Sequence, residues 1–378
     1  MCHAFVTKLS IVRKTVSLFF TLIMACLITS CAIQKQQETP SKAPFGIIFG
    51  ATINGNADLY RISSPDFQSM EQLTFTPKES ETSVYINKGF SKLIFNAFDG
   101  MRSKPVLLDI ASKKASYLGG QNVGIRGWTP NDNEVILSTN KGIVTTTLDG
   151  KETGALSILY TFQYSVFDDI RYSPSGKLIA YTESHQPKGP PYSLSSVFLF
   201  DVTTKQVISL IDNPKATCNS PAWSSRGGKL LIYCDLDDQE ETDGHIYLFE
   251  APENNPAALK KIADNPFPSF CSFAEFYWSP IGDHFISNNC TKKPDAEWSI
   301  YKADGSKLRD IALTDTSGHP LVLWSVTWSP DGQQIVYATG SDEKKLQVYI
   351  MNMDGTNNRP IITTPGNYYG FITYPLTP

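Results

Sequence analysis

The densest run of reactive side chains in this sequence is acidic. Asp235, Asp237, Asp238, Glu240, Glu241 and Asp243 place six carboxylates within nine residues. Oxygen donors of this kind suit a hard cation such as Ca²⁺, but Glu240 stands where an EF-hand loop needs its sharp-turn glycine. The run therefore reads as a solvated acidic loop able to dock a basic partner, and no metal is assigned to it. Histidine is scarce, with five in 378 residues. His185, His245 and His319 fall in different turn-rich segments, and nothing in their spacing forces them onto one ion. The sequence has no P-loop, no H-E-x-x-H, no G-x-S-x-G and no dinucleotide fingerprint. On these grounds no catalytic residue and no cofactor is expected.

Composition narrows the classes further. The chain is 41% hydrophobic and 12% aromatic, ample for a buried core in one large domain or two ordinary ones. A formal charge of −4 argues against a general nucleic-acid binder. The 25 glycines and 24 prolines are spread along the chain, which points to many turns.

The elements that must position these groups repeat. Beyond residue 44 short β-rich runs alternate with turn clusters, without long helical periodicity. The clearest unit is Trp328-Ser-Pro-Asp-Gly332 followed by Ile335-Val-Tyr337. It recurs at Tyr172-Ser-Pro-Ser-Gly176 and Trp278-Ser-Pro-Ile-Gly282, with looser copies at Trp128 and Trp223 and a degenerate one at Ile86-Asn-Lys-Gly89. In such a turn proline presets φ, Ser or Asp oxygens cap free N–H groups, and glycine accepts positive φ. Each unit is thus a tight hairpin, and a second hairpin follows each, as at Val348-Tyr-Ile350 and Pro360-Ile-Ile362. Two hairpins make a four-stranded propeller blade.

The ends decide the blade number. Tyr374 falls at the next anchor position with no hairpin partner after it, while Gly46-Ile-Ile-Phe49 resembles Gln334-Ile-Val-Tyr337 with no partner before it. The expected fold is all-β: a seven-bladed propeller closed by its N- and C-terminal strands, with six blades plus a stray hairpin as the alternative. Closure of this kind removes free sheet edges. The aromatic-rich junctions at Phe267, Phe270, Phe273, Phe276 and Tyr277, and at Tyr368, Tyr369 and Phe371, are expected to be mostly core. So is Trp324.

The Trp-Ser-Pro-Asp-Gly units resemble the repeats of TolB-type (WD-repeat-like) bacterial β-propellers. The resemblance implies the fold and carries no activity with it, because propellers host many functions. Residues 1–30 resemble a bacterial lipoprotein signal. Lys8, Arg13 and Lys14 precede an apolar run from Val16 to Ile28, and Ile28-Thr29-Ser30-Cys31 resembles a lipobox. The resemblance implies acylation of Cys31, a polar tether over residues 31–44 and a propeller over 45–378. A chain starting at Cys31 has 30 Lys and Arg against 37 Asp and Glu, a net charge of −7. Ala32 in place of Asp leans toward the outer membrane, facing the periplasm.

Four cysteines then remain for bridges in an exported protein, with three possible connectivities. Hairpin register selects Cys218–Cys234 and Cys271–Cys290, since each pair is equidistant from its own turn. The functional expectation is a monomeric, lipid-anchored, non-catalytic scaffold for an envelope protein or peptide, its membrane contact made by the lipid. The alternative is a metal-assisted polysaccharide-active enzyme using the three histidines.

Overall fold

The computed structural model describes residues 43–376 except 54–55, 77–78, 121–122, 140–141, 156–165, 186–193, 212–215, 236–243, 252–259, 265–274, 289–297, 312, 314–320 and 343. Every regular element among the described residues is a strand. The first group comprises β1 (Phe45–Ile53), β2 (Asn56–Ser63) and β3 (Glu71–Gln72). Next come β4 (Ser80–Ile86), β5 (Lys92–Phe98), β6 (Ser103–Asp109) and β7 (Lys114–Tyr117). The third group is β8 (Gly124–Trp128), β9 (Glu134–Thr139), β10 (Gly142–Thr147) and β11 (Glu152–Ala155). The fourth is β12 (Val166–Tyr172), β13 (Leu178–His185), β14 (Leu194–Asp201) and β15 (Val207–Ser209). Then follow β16 (Thr217–Trp223), β17 (Gly228–Asp235), β18 (Gly244–Ala251) and β19 (Lys260–Asp264). A sixth set is β20 (Phe276–Trp278), β21 (His284–Asn288), β22 (Trp298–Lys302) and β23 (Lys307–Ile311). The chain ends with β24 (Val322–Trp328), β25 (Gln334–Gly340), β26 (Leu346–Asn352) and the long β27 (Arg359–Pro375).

Within each group consecutive strands pair antiparallel. The turn chemistry expected from sequence is visible at its best copy. Ser329 Oγ accepts from Gln334 N at 2.9 Å, Asp331 Oδ1 accepts from Gln333 N at 3.0 Å, and Gly332 adopts φ 68°. The degenerate copy differs from expectation. Phe90, not Gly89, takes the left-handed position, with φ 52°, and donates its N–H to the Asn87 carbonyl at 3.0 Å. The Asn87 side chain compensates by accepting from Ser91 N and Lys92 N.

β27 serves two groups. Its start pairs with β26, and its end pairs with β1, where Gly46 lies opposite Tyr374 and Ile48 opposite Ile372. A Cβ built on Gly46 would lie 2.3 Å from the Tyr374 ring, and one on Gly50 would lie 2.2 Å from the Tyr369 ring. Glycine at these two places is what lets the terminal strands approach.

The first strand of each group also touches that of the next: β4 meets β8, β8 meets β12, then β16, β20, β24 and β27, and β27 meets β4. Anchor tryptophans tie most of these contacts. Trp128 Nε1 donates to the Tyr85 carbonyl (3.2 Å), Trp223 Nε1 to Arg171 (3.0 Å), Trp278 Nε1 to Ala222 (3.0 Å) and Trp328 Nε1 to Tyr277 (2.8 Å). Thr373 Oγ1 continues the series by donating to the Trp328 carbonyl, and the Tyr369 hydroxyl donates to the Glu81 carbonyl at 3.1 Å. Buried clusters fill the spaces between consecutive groups. Leu231 and Tyr233 pack with Phe285 and Tyr301, and Phe49 packs with Val336 and Val348. Alternation sends Ile47 and Phe49 to one side of β1 and Ile48 to the other, so both faces are covered.

Candidate functional site

The first strands are bulged. Register shifts fall between Thr82 and Tyr85, Ile125 and Gly127, Phe167 and Asp169, Asn219 and Ala222, and Leu323 and Ser325. Ser83 and Ser220 sit in these bulges at φ 53° and 55°. A bulge re-aims side chains and breaks the regular ladder, and such features gather beside binding sites. Between these strands lies a cavity of about 680 Å³ bordered by β12, β16, β20, β24 and β27. A second space of about 380 Å³ shares Tyr172, Pro174 and Ile372 with it.

The walls are aromatic, with Tyr172, Trp223, Phe276, Tyr277, Trp278 and Phe371 among the lining residues. Their indole N–H groups are already spent on neighbouring carbonyls, so these tryptophans offer a visitor carbon surface only. Three charged side chains interrupt the aromatic wall: Asp169, Arg171 and Glu275. Arg171 Nη1 pairs with Asp169 and also donates to the Ile170 carbonyl at 2.9 Å. Glu275 is anchored by its backbone N–H, which donates to Asn288 Oδ1 at 2.8 Å. Its Oε2 accepts from the Tyr277 hydroxyl at 2.7 Å. Burial first, and then the Glu275 charge, hold the Tyr277 phenol well above its usual pKa, so it stays a neutral donor. Burial also pushes Tyr172 up to about 12.

Trp324 is an exception among the aromatics expected to be mostly core. It is the extra residue in the β24 bulge and is 44% exposed, whereas Leu323 beside it is buried. Trp298 Nε1 donates to the Leu323 carbonyl at 3.1 Å and holds the bulge in place. Tyr368 and Phe371 are buried as expected. Phe267, Phe270 and Phe273 lie outside the described residues.

A second polar cluster lies where the first group meets the second. Asp58 on β2 and Glu81 on β4 are both buried. Asp58 Oδ2 accepts from Gln72 Nε2 at 3.0 Å, and Asp58 Oδ1 accepts from Thr76 N at 3.2 Å. Glu81 Oε1 accepts from the Thr76 hydroxyl, while Oε2 has no hydrogen-bond partner among the described residues. Desolvation, reinforced by the Asp58 charge, raises the Glu81 pKa to about 7.

The residues singled out from sequence are distributed as follows. Cys218 and Cys234 face each other across β16 and β17 with Cα atoms 4.0 Å apart, and their sulfurs are bonded. Cys31, Cys271 and Cys290 lie outside the described residues. Asp235 ends β17 opposite Gly244, and Asp237, Asp238, Glu240, Glu241 and Asp243 lie outside. His185 ends β13 opposite Leu194 and His245 lies opposite Cys234, on strands of different groups, while His319 is outside. Among the described residues no three His, Cys, Asp or Glu side chains converge as a metal site. His284 Nδ1 lies 2.9 Å from Asp283 Oδ1. Sequence reasoning missed Asp169, Arg171, Glu275 and Glu81. The available signal was an acidic or basic residue shortly before an anchor aromatic, as in Asp169-Ile-Arg171-Tyr172 and Glu275-Phe-Tyr-Trp278.

Solved structures with this architecture place the chain in a class, the β-propeller. No protein-family model matches the sequence, and no curated protein matches it either. TolB from Acinetobacter baumannii is similar at a TM-score of 0.51 and 13% identity, over 92% of this chain and 71% of that one. An oligogalacturonate lyase in complex with manganese gives 0.57 at 14% identity, over 81% and 85%. A puromycin hydrolase gives 0.58 at 15% identity over 86% of this chain, which spans only 54% of that enzyme. Identities this low speak to the fold alone.

Proposed function

We propose that this chain is a lipid-anchored, non-catalytic propeller of seven blades that binds a protein or peptide partner in the cell envelope. In this reading residues 1–30 are the signal, Cys31 carries the lipid, residues 31–44 tether the molecule to the outer membrane on its periplasmic side, and 45–378 form the ring. Support for closure comes from the β1–β27 pairing and from first-strand contacts that return from β27 to β4. Support for binding rests on one observation above all: an open, aromatic-walled cavity bordered by bulged strands and interrupted by Asp169, Arg171 and Glu275. The exposed Trp324 on β24 adds a second aromatic contact. A rigid ring offering such a cavity can hold a partner without reacting with it.

The test is photo-crosslinking in intact envelopes, with a photoreactive amino acid at Trp278 or Trp324. Capture of one defined envelope protein at these positions, and loss of capture when Phe276 is replaced by Arg, is the expected outcome. No adduct from either position would remove the binding reading.

A second reading is a metal-assisted polysaccharide lyase or hydrolase. It is favoured by the likeness to the lyase, which covers 81% of this chain and 85% of that one. Metal analysis of purified protein decides it: stoichiometric metal lost on His185→Ala and His319→Ala would replace the scaffold reading.

A further inference from the structure

The cavity has a charge imbalance. Of its three charged lining residues two are acids, and the single cation, Arg171, is already engaged by Asp169 and by the Ile170 carbonyl. Glu275 is different. Among the described residues no lysine, arginine or histidine forms an ion pair with it, and its one side-chain donor is the neutral Tyr277 hydroxyl. A carboxylate held in place by a backbone anchor and a phenol, beside an aromatic wall, keeps acceptor capacity that a single neutral donor does not fill. The group that would complete it is a cation.

The wall says which kind. Phe276 follows Glu275 directly, Trp278 stands two residues further on, and both line the same cavity, with the Trp278 indole N–H already donated to the Ala222 carbonyl. Carbon surface beside a carboxylate suits a long side chain with a methylene stem and a charged head. Aromatic faces also attract the head itself. We propose that the cavity receives a lysine or arginine side chain of the partner, its cationic head meeting Glu275 and its stem lying on the aromatic wall. The proposal rests on the binding reading given above and names the partner chemistry that reading leaves open.

Calorimetry and tryptophan fluorescence of the purified full-length protein test it with end-blocked pentapeptides of glycine carrying one central residue. A central arginine is expected to bind about tenfold more tightly than the neutral isostere citrulline, as befits one desolvated charge pair. Glu275→Gln should abolish that preference, while Glu79→Gln, which alters a carboxylate paired to Lys104 elsewhere, should preserve it. Circular dichroism of Glu275→Gln confirms that the variant is folded. Equal binding of the arginine and citrulline peptides, or a preference that survives Glu275→Gln, overturns the proposal. So does equally tight binding by unblocked pentaglycine, which would assign the site to chain termini. If these peptides fail while the crosslink at Trp278 still captures a partner, the charge inference falls and the binding reading stands. If both fail, the binding reading itself falls.

Discussion

Glu81 is a carboxyl whose chemistry is set by its burial. Its folded pKa of about 7 lies above the ordinary value of 4.5, so the folded protein holds this proton more tightly than the unfolded chain does. The stability it contributes is complete below about pH 4.5 and is lost as pH rises through 7. The full difference is at most about 3 kcal/mol. Urea unfolding at pH 5 and pH 8 should therefore show wild type losing stability relative to Glu81→Gln at the higher pH. A gap between the two proteins that does not change with pH would contradict this account. No spacing rule marks Glu81 in advance, since it is an acid in a strand whose buried neighbours come from a different group.

At the scale of the element, hairpin register was the most legible feature. Equidistance from the Ser225-Arg-Gly-Gly228 turn paired Cys218 with Cys234, and the strands carry that register. The bridge closes a loop with a separation of 16 residues, for which chain entropy suggests about 3 kcal/mol. The Cys218→Ala/Cys234→Ala double variant should unfold at correspondingly lower denaturant, with unchanged far-ultraviolet circular dichroism. The anchor tryptophans were legible as repeats, but their polar role was not. Trp328→Phe keeps most of the ring yet removes the donor to the Tyr277 carbonyl, so it should cost about 1–2 kcal/mol in denaturant unfolding. Tyr172, which replaces tryptophan at its anchor, has no indole donor to offer the preceding first strand. The bulges escaped notice altogether, because an extra residue such as Trp324 looks like ordinary alternation until its partner strand is known.

For the whole molecule, the contact to test is between the first and last described strands, β1 and β27. Gly46→Val should destabilise by several kcal/mol, because its side chain would occupy the Tyr374 ring position. Adding Tyr374→Ala should recover part of that loss, and the coupling in a double-mutant cycle measures the clasp. Removing residues 366–378 would leave β1 without its β27 neighbour. An unpaired strand edge invites association, so light scattering should report a larger mass per particle than for the full chain.

The opening inventory pointed to the acidic run and the histidines, and neither defines the cavity found here. What the sequence by itself determined is the repeating unit: turn chemistry and two-residue alternation act over a few residues and can be read directly. Pairing of Cys218 with Cys234 follows from the same local rule. Tertiary structure alone decided which charged residues meet in the cavity, which tryptophan is exposed, and which carboxyl is buried. Asp169, Glu275 and Phe371 are far apart in the chain and line one space only because neighbouring groups pack side by side. Burial and electrostatics depend on those long-range neighbours, and local sequence does not encode them.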